Sequence, residues 1–196
     1  MTFRAWMSIF LILAVSFAAD AQVKAPSVPQ SAGRIDDALS ITSIRVVIGH
    51  PDYGSLRQRL VMGRPTPPIS ATFMAKGGGL VSGHWELAVP SDGNPTSADI
   101  MATPMLTAAG RFAQRRFRQV GAFSFSLAPG DRYVLPGPEI NPASMTAVGR
   151  YHVILRLDSV TSYSNGAAQM PTLISPVIFE VELPRTSPIT NQVTEK

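Results

Sequence analysis

Apolar and polar side chains alternate along most of this chain, and glycines and prolines interrupt the alternation at short intervals. A period of two is the spacing that buries one face of a β-strand, whereas an amphipathic helix needs a period near 3.6. With a short edge strand at residues 111–118, the pattern predicts an all-β fold of about seven strands. The other six stretches are residues 41–48, 69–75, 80–89, 119–127, 149–160 and 173–183.

Turn-forming residues support these strand limits. Residues 77–79 are three glycines between two predicted strands, where positive φ is available without steric cost. The dipeptide Asp92-Gly93 is typical of a tight turn. Residues 97–110 contain helix-compatible side chains, but Pro104 limits a helix there to a short one. We therefore expect strands joined by tight connections, with one helical turn.

The start of the chain has the features of a secretory signal peptide. Arg4 precedes an uncharged run at residues 5–19, which is too short to span a bilayer. Ala19 and Ala21 then supply the small side chains that a cleavage site requires. We predict cleavage after Ala21 and export of the mature chain to a bacterial periplasm or the exterior.

The remaining chain divides into one domain and two flanking segments. Residues 22–37 and 185–196 are rich in small, polar and proline residues and are predicted to be a flexible linker and a flexible tail. Residues 38–184 carry the alternating pattern and form the predicted domain. Because no second apolar run reaches membrane-spanning length, we expect a chain that does not span the membrane.

Composition narrows the classes of partner. The chain has no cysteine, so an exported domain of this sequence must be held by its apolar core without disulfides. Lys and Arg number 17 against 13 Asp and Glu, a net charge of +4. That excess is far below the dense basic surface of a nucleic-acid-binding protein, although it permits attraction to anionic envelope polymers. We therefore expect no nucleic-acid partner.

Two aromatic residues carry a resemblance to a known family. Trp85 lies on a strand that ends in a turn, and Tyr151 lies near the start of the alternating strand at residues 149–160. Over about residues 38–184 this pattern resembles the C and F strands of immunoglobulin-like and fibronectin type III-like domains. The resemblance implies an antiparallel β-sandwich with Trp85 between the sheets and Tyr151 as a corner tyrosine. An antibody-type domain is excluded because the disulfide cysteines are missing.

No catalytic motif is present in the sequence. It contains no Gly-x-Ser-x-Gly elbow, no Ser-x-x-Lys dyad and no His-Glu-x-x-His motif. The triple glycine is not followed by the Lys-Ser/Thr and helix that a phosphate-binding loop needs. We predict no catalytic residues and no cofactor, and a function as a non-catalytic binding or assembly module of the bacterial envelope.

The histidines offer an alternative. If Trp85 and Tyr151 point into the core, alternation sends His84, Glu86 and, on a neighbouring strand, His152 to the opposite face. Two imidazoles and one carboxylate would suit a metal-dependent accessory protein or enzyme. The other interpretation is a solvated face on which Glu86 pairs with an arginine or a histidine. Because the three residues lack short-range ligand spacing, we predict no metal site.

The arginines at positions 111, 115, 116 and 118 form the main concentration of charge. They would either keep an edge strand from pairing with other chains or contact an anionic glycan or a peptide carboxylate. Both interpretations stay open at the level of sequence.

A loop at residues 161–166 has the Tyr, Ser, Asn and Gly composition common in recognition loops, although an ordinary hairpin loop would also fit. In a sandwich it lies at the same end as residues 76–79. We predict that this end binds an envelope protein or an anionic glycan, in the latter case as a glycan-binding module. The predicted ligand-binding residues are Lys76, Arg118, Tyr163 and Asn165.

Overall fold

The computed structural model describes residues 37–130 and 132–184. These residues form eight β-strands, one α-helix and three 3-10 turns. The helix α1 spans Ala108–Ala113, and the 3-10 turns lie at Pro90–Asp92, Thr103–Met105 and Pro142–Ser144. The strands are β1 (Ser40–Ile48), β2 (Arg57–Val61), β3 (Ile69–Lys76), β4 (Gly79–Ala88), β5 (Arg118–Leu127), β6 (Arg132–Pro136), β7 (Gly149–Ser162) and β8 (Val177–Glu182).

The strands form two sheets around one apolar core. The smaller sheet has the order β1-β3-β6, and the larger has the order β2-β8-β7-β4-β5. Neighbouring strands are antiparallel except β2 and β8, which are parallel. Phe73 of the smaller sheet meets Phe125 of the larger one edge to face, with ring centroids 5.1 Å apart. The prediction of an all-β sandwich is confirmed at this level, with eight strands in the described residues against the seven expected.

Three of the sequence predictions fall on other parts of the chain. The signal peptide at residues 1–21 and the tail at residues 185–196 lie outside the described residues, as does the linker at residues 22–37 except for its last residue. Within the described part, no helix is both long and apolar enough to cross a membrane.

The core-facing residues of β4 and β7 follow the predicted alternation. Trp85 is 2% exposed, and on β7 the side chains of Tyr151, Val153, Leu155 and Leu157 are buried. The Tyr151 hydroxyl donates to the Ala147 carbonyl, 3.0 Å away and four residues upstream, and accepts from the Ala147 N–H. Burial of a phenol is favourable only if its hydroxyl keeps such a partner. The predicted burial of Trp85 is confirmed.

The predicted edge strand at residues 111–118 is wrong. Thr107 caps α1, its hydroxyl accepting from the Gly110 N–H at 3.1 Å, and the chain then runs without regular structure until β5 begins at Arg118. A capping threonine followed by two alanines favours a helix over the strand suggested by the spaced arginines. The sequence pattern also missed β2 and β6, which are only five residues long.

The triple-glycine turn connects the two sheets. It leads from the end of β3 in the smaller sheet to the start of β4 in the larger one, and Gly77 has a φ of 69°. A Cβ atom at this position would lie 2.5 Å from the carbonyl oxygens of Asp37 and Ala38. Only glycine therefore fits at position 77, because the backbone of Asp37 and Ala38 lies directly against this turn.

Candidate functional site

The tyrosine of the predicted recognition loop lies against the triple-glycine turn. The Tyr163 N–H donates to the Gly78 carbonyl at 3.0 Å, and its hydroxyl donates to the Ser126 Oγ atom at 2.8 Å. These bonds join the end of β7 to the β3–β4 turn and to the last residues of β5. Tyr163 nevertheless stays 59% exposed. The predicted meeting of the two loops is therefore observed.

A concave pocket of about 280 Å³ opens beside Tyr163. The tyrosine ring forms one wall, and the chain leaving β5 at Leu127 forms another. Apart from the hydroxyl groups of Ser126 and Tyr163, the surface of the pocket is mostly apolar, so it suits a small apolar group. It is lined by Gly78, Ser126, Leu127, Ala128, Pro129 and Tyr163.

Two other predicted ligand-binding residues share this end of the sandwich without lining the pocket. Lys76 is the last residue of β3, lies opposite Ser40 and is exposed. Asn165 is exposed in the loop that follows Tyr163. A cation and an amide are thus exposed at the same end of the sandwich as the pocket.

The placement of Arg118 with this group is wrong. Leu127 pairs with Gly79 at the pocket end of the β4–β5 ladder, whereas Arg118 pairs with Leu87 at the other end. At roughly 3.3 Å per residue the two ends of β5 are about 30 Å apart. Since β5 runs antiparallel to β4, and β4 starts at the glycine turn, the first residue of β5 must lie far from that turn.

The outer face of the larger sheet carries a buried ionic cluster. Glu86 and Arg156 are each 1% exposed, and their Oε2 and Nη2 atoms are 2.5 Å apart. The His84 ring bridges two carboxylates, with Nε2 3.0 Å from Glu86 Oε1 and Nδ1 2.5 Å from Asp158 Oδ2. The predicted pairing of Glu86 with an arginine or a histidine is confirmed, but the predicted solvated face is wrong.

Residues 89–117 are the cover that removes this face from water. The carbonyl of Arg115 accepts from Arg156 Nη2 at 3.2 Å, and Arg116 lies 3.9 Å from Glu86. The 3-10 turn at Thr103–Met105 packs on β7. The polar side chains predicted to share one face of β4 and β7 are therefore buried between the larger sheet and residues 89–117, and they form a second interior apart from the apolar core.

A buried carboxylate fixes the cover. Asp99 is 1% exposed and receives hydrogen bonds from Nε and Nη2 of Arg115, at 3.0 and 2.7 Å. It also accepts from the N–H and hydroxyl of Thr96 and from the Arg115 N–H. Burial alone would raise the pKa of Asp99, but the hydrogen bonds from Arg115 and Thr96 outweigh it and hold that pKa well below its usual range.

His152 does not join the predicted group with His84 and Glu86. It lies opposite Ala88, one outward position beyond Glu86, and is 6% exposed. Burial, with the nearby charges of Arg150 and Arg57, lowers its pKa. Across residues 37–130 and 132–184, no three His, Cys, Asp or Glu side chains are arranged to hold a metal ion.

Sequence reasoning missed Asp99, Asp158 and the role of Arg115. One local signal was available, because Asp99 follows Thr96 by three residues and the pair forms a side-chain turn with hydrogen bonds of 2.7 and 2.8 Å. The partnership with Arg115, sixteen residues later, has no local signal. At the centre of the cluster Glu86 and Arg156 are paired with each other and buried, which suits a structural bridge between the sheet and residues 89–117.

A larger concavity of about 480 Å³ lies at the opposite end of the smaller sheet, beyond Ile69 and Pro136. Its few polar groups include Thr66, whose hydroxyl already donates to the Ile140 carbonyl at 3.1 Å. Because proline has no N–H, the proline walls donate no backbone hydrogen bonds, and the one ionisable side chain in the lining is the exposed carboxylate of Glu139. Its proline lining consists of Pro65, Pro67, Pro68, Pro136, Pro138 and Pro142.

Comparison with family models, curated proteins and solved structures gave no match to this chain. Its function must therefore be argued from its own residues, among which the pocket beside Tyr163 and the covered ionic cluster are the two most developed arrangements.

Proposed function

We propose that this chain is a non-catalytic binding module, exported to the bacterial envelope, which holds a partner at the end of the sandwich formed by residues 76–79 and 161–166. The observation that carries this proposal is the pocket of about 280 Å³ beside the exposed ring of Tyr163. Tyrosine is a frequent hot-spot residue because its ring buries a large apolar area while its hydroxyl keeps a polar partner.

The architecture that we propose for this module is immunoglobulin-like. The adjacency of β4 and β7 supports it, since these strands carry Trp85 and Tyr151 as strands C and F do in that family. The order β8-β7-β4-β5 matches G-F-C with the added strand of a variable-type sheet. The hydroxyl of Tyr151 bonded to Ala147 matches the tyrosine corner. In such domains the loops at one end form the binding surface.

The distribution of ionisable groups supports a non-catalytic role. The pocket residues include no carboxylate, imidazole or amine, and Tyr163 is their one titratable side chain. The acidic and basic residues at the centre of the molecule, such as Glu86 and Arg156, are paired with each other under the cover. A general acid or base needs access to its substrate, which these groups lack.

The partner that best fits the pocket is an envelope protein that inserts an apolar side chain. Leu127, Ala128 and Pro129 form the apolar wall of the pocket. Exposed Lys76 at the same end of the sandwich would pair with a carboxylate of the partner at the rim of the interface. An anionic glycan is the second candidate. Its specific support is that the exposed Tyr163 ring and the Lys76 cation lie at the same end of the sandwich, since a sugar ring can stack on the tyrosine and its acidic group can pair with the lysine.

The test is capture of partners from envelope extract by the immobilised mature chain, followed by measurement of the affinity of each captured protein. Tyr163→Ala should weaken binding by a factor of about 30, because truncation of a hot-spot residue costs about 2 kcal/mol or more. Tyr53→Ala is the matched control, since Tyr53 is 79% exposed and lies beyond the opposite end of β1.

Binding of isolated peptidoglycan or lipopolysaccharide that is lost in Tyr163→Ala, with no protein captured, would favour the glycan. Equal binding by the wild type and Tyr163→Ala would place the site elsewhere. Abolition of binding by joint substitution of the exposed Arg111 and Arg118, with an unchanged melting temperature, would place the binding site at the arginines.

A further inference from the structure

The strand β5 forms one edge of the larger sheet, and from Gly121 to Leu127 it lacks the features that protect such edges; its one irregularity is a bulge at Val120, near the Arg118 end. Its ladder partner is β4, and on its other side no described segment makes a backbone hydrogen bond to it. Residues 119–127 contain neither a charged residue nor a proline. Soluble proteins usually guard a long edge with lysine, proline, a bulge or a covering segment, because its unpaired N–H and C=O groups can bind another strand.

The opposite edge of the same sheet is guarded. The strand β2 is five residues long and carries Arg57 and Arg59, both exposed. Pairing two copies of β2 antiparallel would bring these arginines close together, and like charges opposite one another destabilise a ladder. The two edges therefore differ in length and charge, and only β5 is suited to receive a strand.

A partly exposed aromatic cluster lies along β5. Phe125 stacks on Tyr133 of β6 with ring centroids 4.0 Å apart, and Phe123 meets Trp85 at 6.4 Å. Phe123, Phe125 and Tyr133 are only partly buried, although all three pack against the core. They lie where the edges of the two sheets face each other, so a strand added to β5 would extend over apolar rings as well as complete the ladder.

We propose that β5 pairs antiparallel with β5 of a second copy of this chain, joining the two larger sheets into one continuous sheet. This inference goes beyond the binding function proposed above and does not depend on the Tyr163 pocket. Twofold pairing is the commonest form of self-assembly, and it requires a surface that is complementary to itself.

The charge pattern of β5 meets that requirement. In the antiparallel arrangement, each Arg118 lies near the uncharged end of the other strand, so the two arginines stand at opposite ends of the interface. Small side chains at Ala122 and Ser124 occupy the outer face of the strand at its midpoint, where the copies approach most closely. No like charges meet along the ladder, in contrast to a β2 pair.

The absence of cysteine makes a direct test available. Residues opposite each other in an antiparallel pair have Cα atoms about 4.5–5.5 Å apart, within reach of a disulfide. On oxidation of the mature chain, Ala122→Cys, Ser124→Cys or the double variant should give a covalent dimer, since these cover the registers nearest the strand midpoint. Gln58→Cys on β2 is the matched control and should form no disulfide-linked dimer on oxidation.

Sedimentation velocity supplies the second readout. The mature wild type should be dimeric, Ser124→Lys should weaken dimerisation by about tenfold or more, and Gln58→Lys should match the wild type. Equal melting temperatures at low concentration would show that Ser124→Lys still folds.

Three results would overturn the proposal. The first is a wild type that is monomeric at its highest soluble concentration. The second is a monomer whose outward β5 amides are already protected from hydrogen exchange, which would mean that another segment of this chain covers the edge. The third is a dimer that survives Ser124→Lys unchanged and gives no disulfide link through β5.

Discussion

At the middle of the larger sheet, where Trp85 and Glu86 of β4 lie beside β7, both faces are buried, but by different means. The inner face packs Trp85 and Leu155 against the smaller sheet, while the outer face packs Glu86 and Arg156 beneath residues 89–117. The alternation in β4 and β7 separates the two sets of residues correctly. It does not reveal that the polar set is also covered, because alternation tells which residues share a face and not what lies above it.

The two faces should respond differently to substitution. Apolar packing is non-directional, so its loss scales with the area and volume removed. An ionic pair away from water depends on both partners, and removing one leaves an uncompensated charge. We therefore expect that pairs of substitutions on the inner face lower the unfolding free energy additively, whereas pairs of substitutions on the outer face are strongly coupled.

Trp85→Ala should have the largest effect of a single substitution on the inner face. It removes a side chain that is 2% exposed, and such truncations cost on the order of 3–5 kcal/mol. The free energy of unfolding from denaturant titration gives the value. Leu80→Ala, at a 43% exposed position of the same strand, is the control and should cost far less. A Trp85→Ala variant that melts within a few degrees of the wild type would contradict the assignment.

Asp99→Asn should release the cover of the outer face and cost about 1–3 kcal/mol at neutral pH, because the hydrogen bonds from Arg115 and Thr96 lose their buried, charged acceptor. The folded-state pKa of Asp99 is lowered, so its contribution is complete above the unfolded pKa of about 3.9 and is lost as the pH falls below it.

The difference in unfolding free energy between the wild type and Asp99→Asn should thus be constant from pH 7 to 5 and shrink below about pH 4. Glu139→Gln, at an exposed carboxylate, is the control. A difference that does not change with pH would show that the carboxylate charge is not what fixes the cover.

The substitution His152→Gln should have the smallest effect on stability of those considered. The folded pKa of His152 is lowered, so below about pH 6.5 the unfolded chain takes up a proton that the folded one does not, and stability falls as the pH falls. His152→Gln should remove this slope, which for one site cannot exceed about 1.4 kcal/mol per pH unit. His50→Gln, in an exposed loop, should keep it. An unchanged slope in His152→Gln would mean that this residue is not buried in its neutral form.

The inner face and the loop end could be predicted from the sequence because their signals are local. Alternation located Trp85 and Tyr151, and the order of strands in a sandwich brought Tyr163 to the glycine turn. Arg118 could not be placed, since its distance from that turn depends on the direction of β5 against β4. The bond from Asp99 to Arg115 was equally out of reach, because it depends on how residues 89–117 fold back over the sheet.

The claim that the outer face is a second interior, held by paired charges, is tested most directly by a double-mutant cycle on Glu86 and Arg156. Glu86→Gln and Arg156→Gln should each cost on the order of 3–5 kcal/mol in unfolding free energy, because Glu86→Gln leaves the buried Arg156 charge without its carboxylate and Arg156→Gln leaves the buried Glu86 without its closest cation. The double variant should cost less than the sum of the two by at least about 1.5 kcal/mol. Single losses below about 0.5 kcal/mol that simply add would contradict the account and return this face to solvent.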